Sequence, residues 1–203
     1  MINLFINHYT DGNETRNKEL NRCLDANINN HLIDNIFCIC NNEGESKLLD
    51  NEKVSILLIK SRPTYNVFFQ IIAKYTGVSD WNIIANTDIY FDNTLNFINR
   101  YSKPNTLIAL TRWEVVGKEI KFLNRSDSQD SWIFKGHPKV NCDFQMGTPG
   151  CDNVLAERFS RNGWLVINPS RTIKTYHVHT SNVRNYTSNQ RLMPPYKLIN
   201  PTL

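Results

Sequence analysis

The 203 residues suffice for one globular domain, and 40% apolar residues with 10 Phe, 8 Tyr and 4 Trp can build a full core. A dispersed net charge of +4 is too small for a nucleic-acid groove but suits a pocket for a small anion. No run approaches the roughly 18 apolar residues of a membrane span, and the start lacks a secretory charged and apolar region, so a soluble, cytosol-side protein is expected.

In chain order, MINLFINHY reads as an opening strand, and NKELNRCLDANI sets Leu20, Cys23, Leu24 and Asn27 at helical spacing. DNIFCIC and VSILLIK follow as strands. RPTYNVFFQIIAKY reads as a helix with Pro63 early and Val67, Phe68, Ile71, Ile72 and Tyr75 on one face. Strand WNIIAN, helix NTLNFINRY and strand TLIALTR complete an alternation that predicts a mostly parallel sheet covered by helices.

The second half is polar and aromatic, with short strands expected around residues 120–123 and 131–134. CDNVLAERFSRNGW predicts a helix closed by Gly163, LVINP and TIKTYHVHT further strands, and SNQRLMPPYKLINPTL a loop. With no linker, repeat or low-complexity stretch, residues 1–203 read as a single α/β domain. The five cysteines include no CxxC pair; Cys38 and Cys40 share a strand face and read as buried, reduced thiols rather than a zinc site.

Several polar residues stand where chemistry is done. Asp88 in NTDIYFD follows the apolar strand WNIIA, and ligands of open α/β sheets bind beyond the carboxyl ends of strands. The plainer reading leaves Asp88 as turn polarity and Asp92 as a helix cap. Asp152 enters a helix after a Gly-rich turn, which alone is an N-terminal cap. In TYHVHT, strand alternation puts His177 and His179 on one face, a pair that suits a divalent metal near a carboxylate. Arg62 closes a strand ahead of a helix, placed for an anion or a base edge.

The order NTDIYFD, ALTRWE, SQDSWIFKG, PGCDNVLAERFSRNGWLVINPS and KTYHVHTSNVRNY resembles nucleotide-sugar-dependent glycosyltransferases of the GT-A fold. The nearest resemblance is to the amino-terminal glycosyltransferase domain of a chlorella-virus multidomain enzyme and its bacterial and viral relatives. It implies a GT-A (Rossmann-like) three-layer fold whose central, mostly parallel sheet is flanked by helices. It also implies a cytoplasmic enzyme, in the host cytoplasm if viral. NTD occupies the Asp-x-Asp position, so Asp88 would bind Mn²⁺ or Mg²⁺ bridging the donor's diphosphate; Asn86 stands where the first Asp often does. Asp152 matches the acid that deprotonates the acceptor, and either His177 or His179 the histidine returned to the metal.

The resemblance further suggests Arg184 closing over the diphosphate, and Arg62, Thr64, Asn7 or Tyr9 holding the nucleoside. Trp113, Glu114, Asp130 and Trp132 are candidate acceptor or sugar contacts. Either tryptophan could instead be core, and Asp130 is the next candidate base. The expected reaction is transfer of a hexose or deoxyhexose from a UDP-sugar to a hydroxyl of a glycan, glycoprotein or lipid-linked sugar, with inversion. The alternatives are a non-catalytic sugar-nucleotide or glycan-binding module and a nucleotidyltransferase. Against the last, NHYTDGNETR after the first strand has a single Gly where a phosphate loop would be glycine-rich.

Overall fold

The computed structural model describes residues 1–41, 51–181, 183 and 190–203. The expected strands appear as β1 (Ile2–Asn7), β2 (Asn35–Cys40), β3 (Val54–Leu58), β4 (Trp81–Ala85) and β6 (Thr106–Leu110). β9 (Ser131–Lys135) and β10 (Leu165–Ile167) join them in a seven-stranded sheet of order β10-β6-β9-β4-β1-β2-β3. Its pairs are parallel except that β9 runs antiparallel between β4 and β6. β1, in the sheet's interior, is buried on both faces, as a strand inside a helix-covered parallel sheet must be. Leu4 and Ile6 enter one core, Phe5 the other.

Helices α2 (Tyr65–Tyr75) and α3 (Cys151–Arg161) cover the Phe5 face, contributing Phe68, Phe69 and Phe159. Helix α1 (Glu14–Ile28) and a 3₁₀ helix (Asn93–Tyr101) cover the other, through Leu24, Leu95 and Ile98. This is the expected three-layer arrangement. All five cysteines are buried free thiols. No helix among the described residues is long and apolar enough to cross a membrane.

Local departures have identifiable causes. NTLNFINRY forms a 3₁₀ helix, and it is rich in Asn and Thr, residue types that favour caps and turns over α-helix interiors. Asp92 caps it, its Oδ1 accepting from the Thr94 N–H at 2.9 Å. The buried face of α2 is Tyr65, Phe68, Phe69 and Ile72, rotated from the expected stripe, because Tyr65 packs edge-on against Trp132; Tyr75 is exposed.

The sequence also hid a second, four-stranded sheet of order β5-β11-β7-β8. β5 (Ile89–Phe91) and β7 (Trp113–Val116) are too short to carry a readable period; β8 (Glu119–Phe122) matches the expected strand near residues 120–123. β11 (Thr175–His177) stops earlier than TIKTYHVHT suggests. Val178 N–H bonds to Asp88 O at 3.0 Å, and the chain then turns toward α1. Asn27, on the buried face of α1, holds β5 by donating to Ile89 O and accepting from Phe91 N–H, at 2.9 and 3.0 Å.

Candidate active site

Asp88 lies where β4 of the large sheet passes into β5 of the small one. Its Oδ2 accepts from Arg16 Nη2 at 2.7 Å and faces His177 Nε2 at 3.2 Å and His179 Nδ1 at 3.4 Å. Its Oδ1 is buried with no hydrogen-bond partner among the described residues. Burial alone would raise the Asp88 pKa, but the hydrogen bond and charge of His177 and the charge of Arg16 hold it well below the usual range. It is a carboxylate surrounded by positive charge.

A polar chain extends from this point. His177 Nδ1 faces Glu114 Oε2 at 2.7 Å, and Arg112 Nε donates to Glu114 Oε1 at 2.6 Å. Arg112 Nη1 donates to both oxygens of Asp130, at 3.1 and 2.9 Å, and Asn86 Nδ2 donates to Asp130 Oδ1 at 2.9 Å. Burial works against charge on His177, yet its bonds to Asp88 and Glu114 raise its pKa to about 10. Burial likewise opposes the Glu114 charge, and the bonds from His177 and Arg112 bring that pKa down to about 2. Both Glu114 oxygens are engaged, so it orients His177 and Arg112 rather than offering a free edge to a sugar. Asp130 is similarly held by cation and amide, which disfavours it as the base.

Asp152 sits in the first turn of α3. Its Oδ2 accepts from Gln129 N–H at 3.3 Å and its Oδ1 from Cys151 Sγ at 3.1 Å. Burial, with the neighbouring Asp130 charge, raises its pKa to about 7. A carboxyl that is half ionised near neutrality can take a proton from a hydroxyl. The carboxyl-terminal tail fixes this turn: Leu192 N–H bonds to Pro149 O at 2.9 Å and Lys197 N–H to Asn153 O at 3.0 Å. Gly150 there has φ +84° and leaves 3.2 Å between an added Cβ and Leu192 O, so a side chain would be both strained and crowded.

These groups line one cleft of about 990 Å³, together with Asn7, Tyr9 and Asn86. Arg16, Arg62, Arg112, Arg125 and Arg191 supply cations to it. Arg62 is exposed, and its guanidinium fills the space where a Cβ on Gly147 would be, 2.5 Å away. Asn7 donates to Ile39 O at 2.9 Å, and Tyr9 OH accepts from Arg16 at 3.3 Å.

Three expected residues lie off the cleft. Trp132 is 1% exposed and packed against Tyr65, a core residue with no face for a sugar. Trp113 packs at a tilt against Phe122 under Lys174, with its indole N–H on Ser170 O at 2.9 Å. Thr64 is the N-cap of α2 and bridges to Gln145. Arg184 lies outside the described residues.

Sequence reasoning missed Arg16, Glu19 and Arg112. Glu19 accepts from Thr180 N–H and Oγ1 and from Ser181 N–H and Oγ, at 2.6–2.8 Å, and from Arg16 Nη1 at 3.1 Å. It thereby clamps the chain just after His179 to α1. The one available signal was the adjacency of charged Arg16 and Glu19 to the apolar face of that helix.

Asp88, His177 and His179 offer ligand atoms within 4.8 Å of one another. Neighbouring ligands on an ion with bonds near 2.1 Å stand about 3.0–3.4 Å apart, which the 3.2 and 3.4 Å separations match. The unpartnered Oδ1 adds a donor, so the residues fit a divalent cation.

No family model matches the chain, and no curated protein is similar to it in sequence. Solved structures are similar to it. The mannosyltransferase PcManGT from Pyrobaculum calidifontis, in complex with GDP-Man and Mn²⁺, aligns at TM-score 0.55 and 12% identity over 91% of this chain. This chain spans 58% of that protein's length. The 4-diphosphocytidyl-2C-methyl-D-erythritol synthase from Anaerococcus prevotii DSM 20548 aligns at TM-score 0.51 and 13% identity over 93% of this chain and 91% of its own. The chain has a GT-A-like α/β fold, with a central, mostly parallel seven-stranded sheet.

Proposed function

We propose that this chain, as one domain, is a glycosyltransferase that moves a hexose or deoxyhexose from a nucleoside diphosphate sugar, UDP-linked, to a hydroxyl of a glycan, with inversion. The observation that carries the reading is one cleft lined both by Asp88, His177 and His179, which could hold a cation, and by Asp152, whose pKa is raised to about 7. The Mn²⁺-bound mannosyltransferase of similar fold supports it.

In this mechanism Asn7, Tyr9 and Arg62 hold the nucleoside end of the donor, and Arg62 and Arg191 face its phosphates. A divalent ion held by Asp88, His177 and His179 would offset the negative charge that builds on the leaving diphosphate. Ionised Asp152 accepts the acceptor hydroxyl's proton as the oxygen attacks the anomeric carbon and the sugar–phosphate bond breaks. Asp130 nearby makes that proton easier to hold, and Arg112 keeps Asp130 in place.

A thermal-shift screen of nucleotide sugars with and without Mn²⁺ tests this reading, followed by analysis of the products. Stabilisation by one nucleotide sugar, strengthened by Mn²⁺ and lost in Asp88→Ala, is expected. Unchanged, Mn²⁺-sensitive affinity in Asp88→Ala would remove Asp88 from the site. A nucleotidyltransferase is the second reading, favoured by the near-complete overlap with the diphosphocytidyl synthase. It would release pyrophosphate from a nucleoside triphosphate instead of a nucleoside diphosphate from a sugar donor. Binding without turnover would instead indicate a non-catalytic module.

A further inference from the structure

Arg16 is a cation built into the site, with its side chain only 7% exposed. Nη2 donates to Asp88 Oδ2 at 2.7 Å, and Nη1 lies 3.2 Å from His179 Nδ1. An N–H facing an imidazole nitrogen needs that nitrogen's lone pair, the same lone pair that would ligate a metal. The guanidinium therefore engages two of the atoms a divalent ion would take, and its charge repels an ion placed beside it. Its remaining contacts are to Glu19 Oε2 at 3.1 Å, one turn on in α1, and to Tyr9 OH at 3.3 Å, in the loop before it.

We propose that Arg16 and a divalent ion are alternative partners of Asp88 and His179. Arg16 holds the site until the phosphates of a nucleoside diphosphate draw the guanidinium toward themselves and bring the ion further oxygen ligands. The competition stands on geometry; its release by diphosphate rests on the nucleotide-sugar reading above. Cation and nucleotide then strengthen one another's binding by the same factor, as linkage requires.

The test titrates Mn²⁺ by the electron paramagnetic resonance of the free ion, first alone and then with UDP, in wild type and Arg16→Met. Without nucleotide, Arg16→Met should bind Mn²⁺ at least about tenfold tighter, since a like charge and a competitor are both removed. UDP should then add less to Mn²⁺ affinity than it does in wild type. Equal or weaker Mn²⁺ binding by folded Arg16→Met would overturn the proposal and put the ion on Asp88 Oδ1, clear of the guanidinium. Should Met leave Asp88 and Glu19 too poorly compensated to fold, Arg16→Lys carries the test. One ammonium cannot hold both atoms as the guanidinium fork does, so Mn²⁺ alone should tighten severalfold, and unchanged affinity again overturns the idea. The Mn²⁺-only titration involves no donor. A chain that binds no nucleotide yet gains Mn²⁺ affinity without Arg16 would sink the glycosyltransferase reading and sustain the competition.

Discussion

Glu114 Oε2 lies 2.7 Å from Nδ1 of His177, whose Nε2 faces Asp88 3.2 Å away. A carboxylate on the far nitrogen fixes an imidazole's rotation, so that the near nitrogen would present its lone pair to a metal that displaces the proton shared with Asp88. Glu114 belongs to β7 and His177 to β11, and the two residues are register partners in the small sheet. Backbone pairing thus sets the contact.

Glu114→Gln should accordingly weaken Mn²⁺ binding by about 10–100-fold, the usual cost of losing such a partner. Calorimetric titration with Mn²⁺ in the presence of UDP reads this directly. A change confined to acceptor KM would instead restore Glu114 as a sugar contact.

Asp152→Asn should leave donor binding near normal and slow transfer by at least about 10²-fold, the scale of general-base help. In wild type the transfer rate should rise through about pH 7 as Asp152 ionises, and that rise should vanish in the variant. The stability effect has a definite sign. A folded pKa raised above the unfolded value favours the native state at low pH and loses that advantage as pH rises through about 7. Asp152→Asn should therefore raise Tm relative to wild type more at pH 8 than at pH 5, which paired melts would measure.

Glu19 has the opposite sign. Burial opposes its charge, but hydrogen bonds from Thr180, Ser181 and Arg16 bring its pKa down to about 2. Its contribution is complete above the unfolded value near 4.5 and is lost as pH falls toward 2. Glu19→Ala should cost about 3 kcal/mol at neutral pH, because it strips several bonds from one buried carboxylate and leaves Arg16 less compensated. Urea melts of both proteins at pH 7 and pH 3 should show the gap narrowing in acid.

Trp132→Phe keeps an aromatic ring against Tyr65 and should leave nucleotide-sugar affinity and acceptor KM near wild type. Trp132→Ala should cost about 3–5 kcal/mol of stability through the cavity it opens. A large KM change in Trp132→Phe with unchanged Tm would return the indole to the binding surface.

The amino-acid order by itself determined the layers. The apolar strands β1, β2, β4 and β6 alternate with helices whose periods are local properties, and Asp88 could be placed because it directly follows a strand. His177 and His179 could be paired by alternation, although β11 ends between them. Only the tertiary structure decided which groups meet. Arg16 and Asp88 are 72 residues apart, and Arg16 and His179 are 163 apart. No local period records such a contact. The short β5 and β7 gain their strand character from pairing with β11 and β8, and that pairing turned Glu114 toward a histidine. Trp132 fell into the core and Asp130 onto Arg112 for the same reason. Burial and ion pairing depend on the neighbours that packing brings together, and those neighbours come from elsewhere in the chain.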